Sequence, residues 1–166
     1  MSRDAGFSFL ELMVALGIIA IIASLAVPGL INWRSTVRLR EAAYYLKGDL
    51  EFAKSAAIKK NVSVGVQLSA DTYTIFVDYD KDGGTAGDLI QNGPERLLRY
   101  RQLPAGVSID LAATDFPDDD RTGFNSRGMP RTADGTPGPA EGTVTLKNSR
   151  DSRQVVLNRL GRLSTN

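Results

Sequence analysis

The hydrophobic and polar positions divide the chain into an apolar N-terminal segment and a longer part of mixed patterning. Residues 7–31 are almost entirely apolar, and Glu11 is the one charge among them. Residues 12–31 carry no charge and as a helix would span about 30 Å, the thickness of the hydrocarbon core of a bilayer. The pattern predicts a transmembrane and assembly helix over residues 7–33, followed by Arg34, a cation suited to the membrane interface.

A helical pattern continues beyond the membrane segment. Apolar residues recur at spacings of three and four, which predicts a helix with one apolar stripe from Asn32 to about Lys60. The stripe comprises Leu39, Ala43, Leu46, Leu50, Ala53 and Ala57. We expect the stripe to pack on the sheet of the same domain, with Asn61 as the C-terminal cap. Joined to the membrane segment, this helix would approach about fifty residues, or about 75 Å.

After Asn61 the period changes to two, the spacing typical of β-strands. The predicted strands are residues 62–68, 72–77, 97–101, 107–111, 143–147 and 154–158. The last two would form a C-terminal hairpin joined by residues 148–153. Residues 83–93 and 115–142 are dense in Gly, Pro and Asp and are predicted as loops. The expected fold class is α+β, with a long N-terminal helix (transmembrane plus amphipathic) packed on an antiparallel β-sheet domain.

Composition narrows the chemistry that this chain can carry. It has 166 residues and a formal charge of +1, so neither sign of charge dominates. The chain contains no Cys and no His, which excludes disulfides, Ser-His-Asp and Cys-His catalysis, and most zinc sites. There is also no glycine-rich phosphate loop and no nucleophile elbow. We therefore expect a protein that is not an enzyme.

Three kinds of N-terminus are compatible with the apolar run. A secretory signal peptide would be cut behind it, where residues 24–26 are small enough for such a cut. The charge of Glu11 inside the apolar block, and a leader with one Arg and one Asp, argue against that interpretation. The second alternative is a membrane anchor that is not cut. The third is a leader that is cut in front of the apolar run, so that the run stays on the mature protein.

Residues 6–11 read GFSFLE, which resembles the processing site of type IV pilins and type II secretion pseudopilins. The resemblance implies that a prepilin peptidase cuts after Gly6 and methylates the new N-terminus at Phe7, so that residues 1–6 are a cleaved leader. Glu11 would then be the fifth mature residue, where the glutamate of this family lies. Pro28 also matches the family pattern.

Physical chemistry gives Glu11 a role consistent with that resemblance. A carboxylate beside membrane-spanning sequence is costly and calls for a positive partner. Cleavage would create a cationic α-amine at Phe7, one helical turn away, so Glu11 could neutralise its own N-terminus or meet the amine of a neighbouring subunit. We expect Glu11 to set axial register during subunit assembly.

Pro28 and Gly29 predict a helix break, either a simple kink or, as the resemblance implies, a segment that extends in the filament.

The C-terminal half carries a second resemblance. Residues 124–130 (FNSRGMP), 142–146 (GTVTL), 155–158 (VVLN) and 161–162 (GR) resemble the GspH/FimT branch of minor pseudopilins and minor pilins. The resemblance implies a pilin-like fold and a structural subunit that initiates or caps a periplasmic pseudopilus of the type II secretion system. The alternative is a minor pilin of a type IV pilus, with a role in binding DNA during uptake.

The same resemblance implies a location and a set of partners. The chain would cross the bacterial inner membrane once, with residues 34–166 in the periplasm, and would enter a pilus or pseudopilus. Its partners would be other minor and major pilins or pseudopilins, the prepilin peptidase, the inner-membrane assembly platform and membrane lipid.

Asp78, Asp80 and Asp82 follow the D-x-D-x-D-G spacing of calcium loops. The twelfth position of an EF-hand, a glutamate in the motif, is a leucine here. Asp88 beside it and the more distant Glu95 do not complete the motif. A turn at the end of a strand is the favoured interpretation. A calcium site is the alternative, and no other cofactor is expected.

Four arginines lie near the C-terminus, at Arg150, Arg153, Arg159 and Arg162, with a single acid among residues 150–162. A locally basic end is typical of surfaces that bind nucleic acid. Some FimT-like proteins resemble DNA receptors with a G-R-x-R tail, and the second Arg of that tail is missing here. A solvated hairpin surface is therefore favoured, with DNA binding as the alternative.

Overall fold

The computed structural model describes residues 8–78, 87–92, 95–118, 120–133 and 140–166, with the backbone alone for residues 25–28. A single long helix, α1, comes first and covers Phe9–Lys60. The pattern of contacts divides the chain into an N-terminal unit that ends at Thr36 and a second unit from Val37 to Asn166.

Short antiparallel strands in two sheets follow the helix. In the described part of the chain they are β1 (Ser63–Leu68), β2 (Thr72–Asp78), β3 (Leu97–Gln102), β4 (Ser108–Ile109), β5 (Arg121–Phe124), β6 (Pro130–Arg131), β7 (Gly142–Lys147), β8 (Ser152–Leu157) and β9 (Leu163–Thr165). The first sheet has the order β3-β2-β1-β5-β6, and the second has the order β4-β7-β8-β9. A 3-10 helix at Leu111–Ala113 follows β4.

The helix and both sheets share one hydrophobic core. Every residue of the predicted apolar stripe, from Leu39 to Ala57, is buried. The same cluster contains Val66 of the first sheet and Leu146 and Val155 of the second. The α+β fold class, with a long N-terminal helix packed on antiparallel sheets, is therefore confirmed.

The end of the helix is also as predicted. Asn61 adopts a left-handed backbone conformation (φ 52°), which ends helices and which Asn tolerates better than most residues. The backbone N–H of Val62 then donates to the carbonyl of Ala57 at 3.2 Å, satisfying a carbonyl of the last turn.

The strand prediction was wrong for the predicted loop at residues 115–142, which contains β5 and β6, and β5 pairs with β1 in the middle of the first sheet. The predicted C-terminal hairpin is confirmed as β7 and β8, and it is extended by β9, an unpredicted strand that pairs with the outer edge of β8. The predicted strand at 107–111 is shortened to Ser108–Ile109, since a 3-10 helix follows it.

A buried ion network that the sequence pattern did not predict joins α1 to the first sheet. Asp49 lies on the buried face of the helix and is 3% exposed. Its carboxylate accepts hydrogen bonds from the hydroxyl of Tyr73 (2.7 Å) and from Nε of Arg101 (2.6 Å), and it pairs with Nη1 of Arg99. The guanidinium of Arg99 also stacks over the ring of Phe52, 4.1 Å from its centroid. One carboxylate therefore connects the helix to both β2 and β3.

The protonation of Asp49 reflects this geometry. Burial opposes ionisation, but the hydrogen bonds from Arg101, Tyr73 and Arg99 outweigh it and hold the pKa of Asp49 below its usual value. Tyr73 responds in the opposite direction, because burial and the adjacent carboxylate both raise the pKa of its hydroxyl.

Two N-x-x-G turns, at residues 125–128 and 158–161, have the same construction. Asn125 accepts backbone hydrogen bonds from Arg127 and Met129, and Asn158 accepts them from Leu160 and Arg162, all through the side-chain amide oxygen. The glycine at the end of each turn has a positive φ, 77° at Gly128 and 71° at Gly161. Asn in these motifs therefore builds turns.

The two turns meet against the helix. Nζ of Lys54 donates to the carbonyl of Gly161 at 2.8 Å, and Gly128 lies against the side chain of Ile58. A β-carbon added to Gly161 would stand 2.6 Å from the carbonyl oxygen of Gly128, closer than such atoms approach. The glycine is therefore needed both for its backbone angle and for its lack of a side chain.

Gly161→Ala is expected to lower the free energy of unfolding by about 2–3 kcal/mol, because it combines a strained φ with a clash against backbone. Urea unfolding of the full chain in detergent, followed by circular dichroism, measures this. The matched control is Gly48→Ala at an exposed helical position with open space around it, which is expected to stabilise by up to about 1 kcal/mol. Equal effects at the two positions would contradict the role given to Gly161.

Candidate functional site

The N-terminal part of α1 has the properties of a membrane segment. The side chains of residues 8–24 and 29–31 are all exposed, and most are large and apolar, such as Phe9, Leu10 and Ile21. Among the described residues this is the helix that is long and apolar enough to cross a membrane. An apolar surface of this length requires lipid or other apolar helices around it.

Glu11 lies in the first turn of this helix, which begins at Phe9. The first bond of the helix runs from the backbone N–H of Leu12 to the carbonyl of Ser8, at 3.1 Å. Ser8 and Glu11 thus have the S-x-x-E spacing of a capping box, in which a carboxylate also meets the positive end of the helix dipole. Glu11 can therefore serve two roles. It can cap the start of its own helix, or it can pair with a positive group on a neighbouring subunit. Gly6 and Phe7 lie outside the described residues.

The predicted helix break lies within α1. The helical backbone continues through residues 25–30, including Pro28 and Gly29. Proline has no N–H, so Pro28 cannot donate to the carbonyl of Ser24. Separately, the hydroxyl of Ser24 donates to the carbonyl of Ile21 at 2.7 Å. The break at Pro28 and Gly29 stays a prediction.

The calcium motif is only partly within the described residues. Asp78 ends β2 with its side chain buried, whereas Asp80 and Asp82 lie outside the described residues. The fold brings a different pair of acids to Asp78. One carboxylate oxygen each from Asp78, Asp88 and Glu95 lie within 4.8 Å of one another. Sequence spacing does not reveal this group, because a loop has to fold back before the three meet.

The loop between β2 and β3 holds each of these carboxylates in place. Oδ1 of Asp78 accepts the backbone N–H of Gly87 at 2.7 Å, and Oδ1 of Asp88 accepts that of Ile90 at 2.9 Å. Oε2 of Glu95 accepts the backbone N–H of Asn92 at 2.9 Å, and the side-chain amide of Asn92 donates to Oδ2 of Asp88 at 3.3 Å. We call Asp78, Asp88 and Glu95 the acid cluster.

The electrostatics of the acid cluster disfavour a charged Asp78. Burial raises the pKa of Asp78, and the nearby Asp88 raises it further. The hydrogen bond from Gly87 and the charge of Arg131 oppose these effects without cancelling them. The ionised form of Asp78 is thus destabilised both by its burial and by the negative charge of Asp88.

The four C-terminal arginines have different surroundings. Arg150 is exposed in the turn between β7 and β8, and Arg162 is exposed just before β9. Nε of Arg159 pairs with Oε1 of Glu141 at 3.2 Å. Arg153 is half-buried and lines a surface cavity of about 290 Å³ together with Arg40 and Tyr44 of the helix. The nucleic-acid surface at these residues stays a prediction, and Glu141 offsets part of its charge.

Comparisons with known proteins agree with this architecture. Residues 42–161 match the family model described as Type II transport protein GspH. The chain belongs to the GspH family. Residues 1–27 additionally match the prokaryotic N-terminal methylation motif, so both ends of the chain carry the pilin-type signature.

Individual relatives of this GspH-family chain include pilins and pseudopilins. Pilin-like protein PilA1 of Thermus thermophilus is 29% identical over 164 residues, which cover 95% of each chain. The type IV minor pilin FimU of Pseudomonas aeruginosa has a TM-score of 0.55 at 16% identity, covering 81% of this chain and 92% of its own. The minor pseudopilin EpsH from the type 2 secretion system of Vibrio cholerae has a TM-score of 0.54 at 15% identity, covering 78% and 96%.

Family membership places the protein among minor pilins and pseudopilins, of the type IV pilus or the type II secretion system. These are structural proteins, and members assemble with other pilins into pili or pseudopili. The methylation motif and the exposed apolar helix fit a pilin-like, membrane-anchored protein.

Proposed function

We propose that this GspH-family protein is a minor pseudopilin of the type II secretion system, a non-enzymatic subunit that initiates or caps a periplasmic pseudopilus. The observation that carries the proposal is the family match over residues 42–161, whose description is type II protein transport. The incomplete G-R-x-R tail, and the pairing of Arg159 with Glu141, further favour a secretion role over DNA binding.

The proposal includes maturation and topology. Residues 1–6 are a leader that the prepilin peptidase removes between Gly6 and Phe7, followed by methylation of Phe7. Residues 7–33 anchor the chain in the inner membrane, and residues 34–166 lie in the periplasm. The match to the methylation motif and the uncharged stretch from Leu12 to Ile31 support this division.

Assembly would use the N-terminal segment. Glu11 pairs with the α-amine of a neighbouring subunit as the chain leaves the membrane through the assembly platform. In that low-dielectric setting an opposite charge relieves the cost of the carboxylate. Pro28 and Gly29 provide a segment of weakened helix that can extend when lipid contacts are exchanged for contacts with other pilin helices.

A minor pilin of a type IV pilus is the second candidate. The similarity to the pilin-like protein PilA1 along 95% of the chain favours it. Fold similarity supports both machines equally, because FimU and EpsH match with nearly the same TM-score.

Deletion of the gene in its native bacterium separates the two candidates. Loss of protein secretion into the medium, with normal piliation, motility and DNA uptake, is the result expected for the secretion role. Loss of piliation or DNA uptake with normal secretion would overturn it in favour of the pilus. Complementation with the intact gene controls for effects on neighbouring genes.

A further inference from the structure

Asp78 carries a buried oxygen that accepts no hydrogen bond within the part of the chain that the structure describes. The side chain of Asp78 has no exposed surface, and its Oδ2 has no hydrogen-bond donor among the described residues. A buried carboxylate oxygen in this state is costly unless another charge or donor meets it. Because the carboxylate of Asp78 belongs to the acid cluster, this oxygen points to a bound cation.

Arg131 does not meet that requirement. Its Nη1 is 3.9 Å from Oδ2 of Asp78, beyond hydrogen-bond distance. The donors of Arg131 are directed to other oxygens, with Nη1 on Ser63 Oγ at 2.7 Å and Nη2 on the carbonyl of Gly87 at 3.1 Å. Arg121 likewise donates to the carbonyl of Asp88 at 3.2 Å and pairs with Asp120. Within the described residues, neither Arg131 nor Arg121 therefore donates a hydrogen bond to the carboxylate of Asp78 or Asp88.

The spacing of the acid cluster fits calcium. Ca²⁺ binds oxygen at about 2.3–2.6 Å, so ligands on opposite sides of the ion are about 5 Å apart. The cluster oxygens lie within 4.8 Å of one another, which is close enough for all three to contact one such ion. Mg²⁺ demands near-ideal octahedral geometry and gives up its water reluctantly, whereas Ca²⁺ accepts irregular sets of carboxylates. Carboxylates alone are a hard-oxygen site, which disfavours the softer transition metals.

We propose that Asp78, Asp88 and Glu95 bind one Ca²⁺ ion, with water completing its coordination. The ion would tie the end of β2 to the loop that precedes β3, the strand that contributes Arg99 and Arg101 to Asp49. These ligands differ from the three aspartates of the D-x-D-x-D-G motif, with which they share only Asp78. The proposal does not depend on which secretion or pilus machine the protein serves.

Calcium binding can be measured on the full chain in detergent after treatment with a chelator. Isothermal titration with CaCl₂ should give one site per chain with a Kd of about 0.1–1 mM, the range of extracellular calcium modules. At about ten times that Kd, Ca²⁺ should raise the Tm by about 3–6 °C, an effect that the chelator reverses. Mg²⁺ at the same concentration should raise it less.

Variants identify the ligands. Asp88→Asn, at a half-buried position, should weaken Ca²⁺ binding at least about tenfold, and Glu95→Gln and Asp78→Asn should do the same where they fold. Asp151→Asn, at an exposed acid between β7 and β8, is the matched control and should bind Ca²⁺ normally. Absence of saturable binding to the unmodified chain, or unchanged binding by Asp88→Asn and Glu95→Gln, would overturn the proposal.

Discussion

A Glu11→Gln chain is expected to be processed normally but to be lost from assembled filaments. Glutamine can still act at the third position of a capping box, so the start of α1 is preserved while the charge is removed. If Glu11 pairs with a neighbouring α-amine in low dielectric, losing that pair should reduce co-purification with partner pilins at least about tenfold, as for a loss of about 1.4 kcal/mol.

The measurement is recovery of partner pilins from solubilised native membranes with a tagged chain. Glu41→Gln provides the matched control, because Glu41 is an exposed acid on the same helix outside the apolar segment. It should recover partners like the unmodified chain. Normal recovery with Glu11→Gln would restrict Glu11 to a local role at the helix start and remove the assembly mechanism.

Asp49→Ala is expected to lower the free energy of unfolding by about 2–4 kcal/mol. It leaves the buried hydroxyl of Tyr73 without its acceptor and separates Arg99 and Arg101 from their counter-ion. The estimate is below the full value for a buried ion pair, because both arginine side chains are about a third exposed and can be solvated. Urea unfolding of the full chain in detergent measures the effect.

The stabilising contribution of Asp49 should depend on pH in a direction that its pKa fixes. The native pKa of Asp49 lies below the unfolded value of 3.8, so its contribution is complete above that pH and is lost as the pH falls through the native pKa. The stability difference between the unmodified chain and Asp49→Asn should therefore be constant near neutral pH and shrink below about pH 4.

Glu51→Ala is the control for Asp49, since Glu51 is an exposed acid two positions further along the same helix. It should leave unfolding unchanged within error. No loss with Asp49→Ala would show that the helix is held by its apolar stripe alone. A similar loss with Glu51→Ala would contradict the special role given to the buried Asp49 network.

The sequence was a good guide to the fold where the pattern is local. The stripe from Leu39 to Ala57 repeats over five turns, and the two alternating strands β1 and β2 are joined by a short turn, so both could be predicted. β5 and β6 escaped prediction because each is short, and β5 pairs with β1, more than fifty residues earlier. No local pattern records such a pairing.

The candidate sites likewise differ in whether their residues are adjacent in the sequence or are brought together by the fold. The N-terminal motif from Gly6 to Glu11 is contiguous and could be read directly from the sequence. Asp49 interrupts an otherwise apolar helix face, a signal that was present but whose partners lie about fifty residues away. The acid cluster escaped because Asp88 and Glu95 reach Asp78 through a loop, at spacings that match no linear motif.

The most direct test of the central claim is the intact mass and N-terminal sequence of the protein isolated from native membranes. Pilin-type processing requires a chain that begins at Phe7 and carries a methylated α-amine, and this is the result we expect. A chain that begins at Val27, as after a secretory signal peptide, or one that retains Met1, would contradict the filament mechanism.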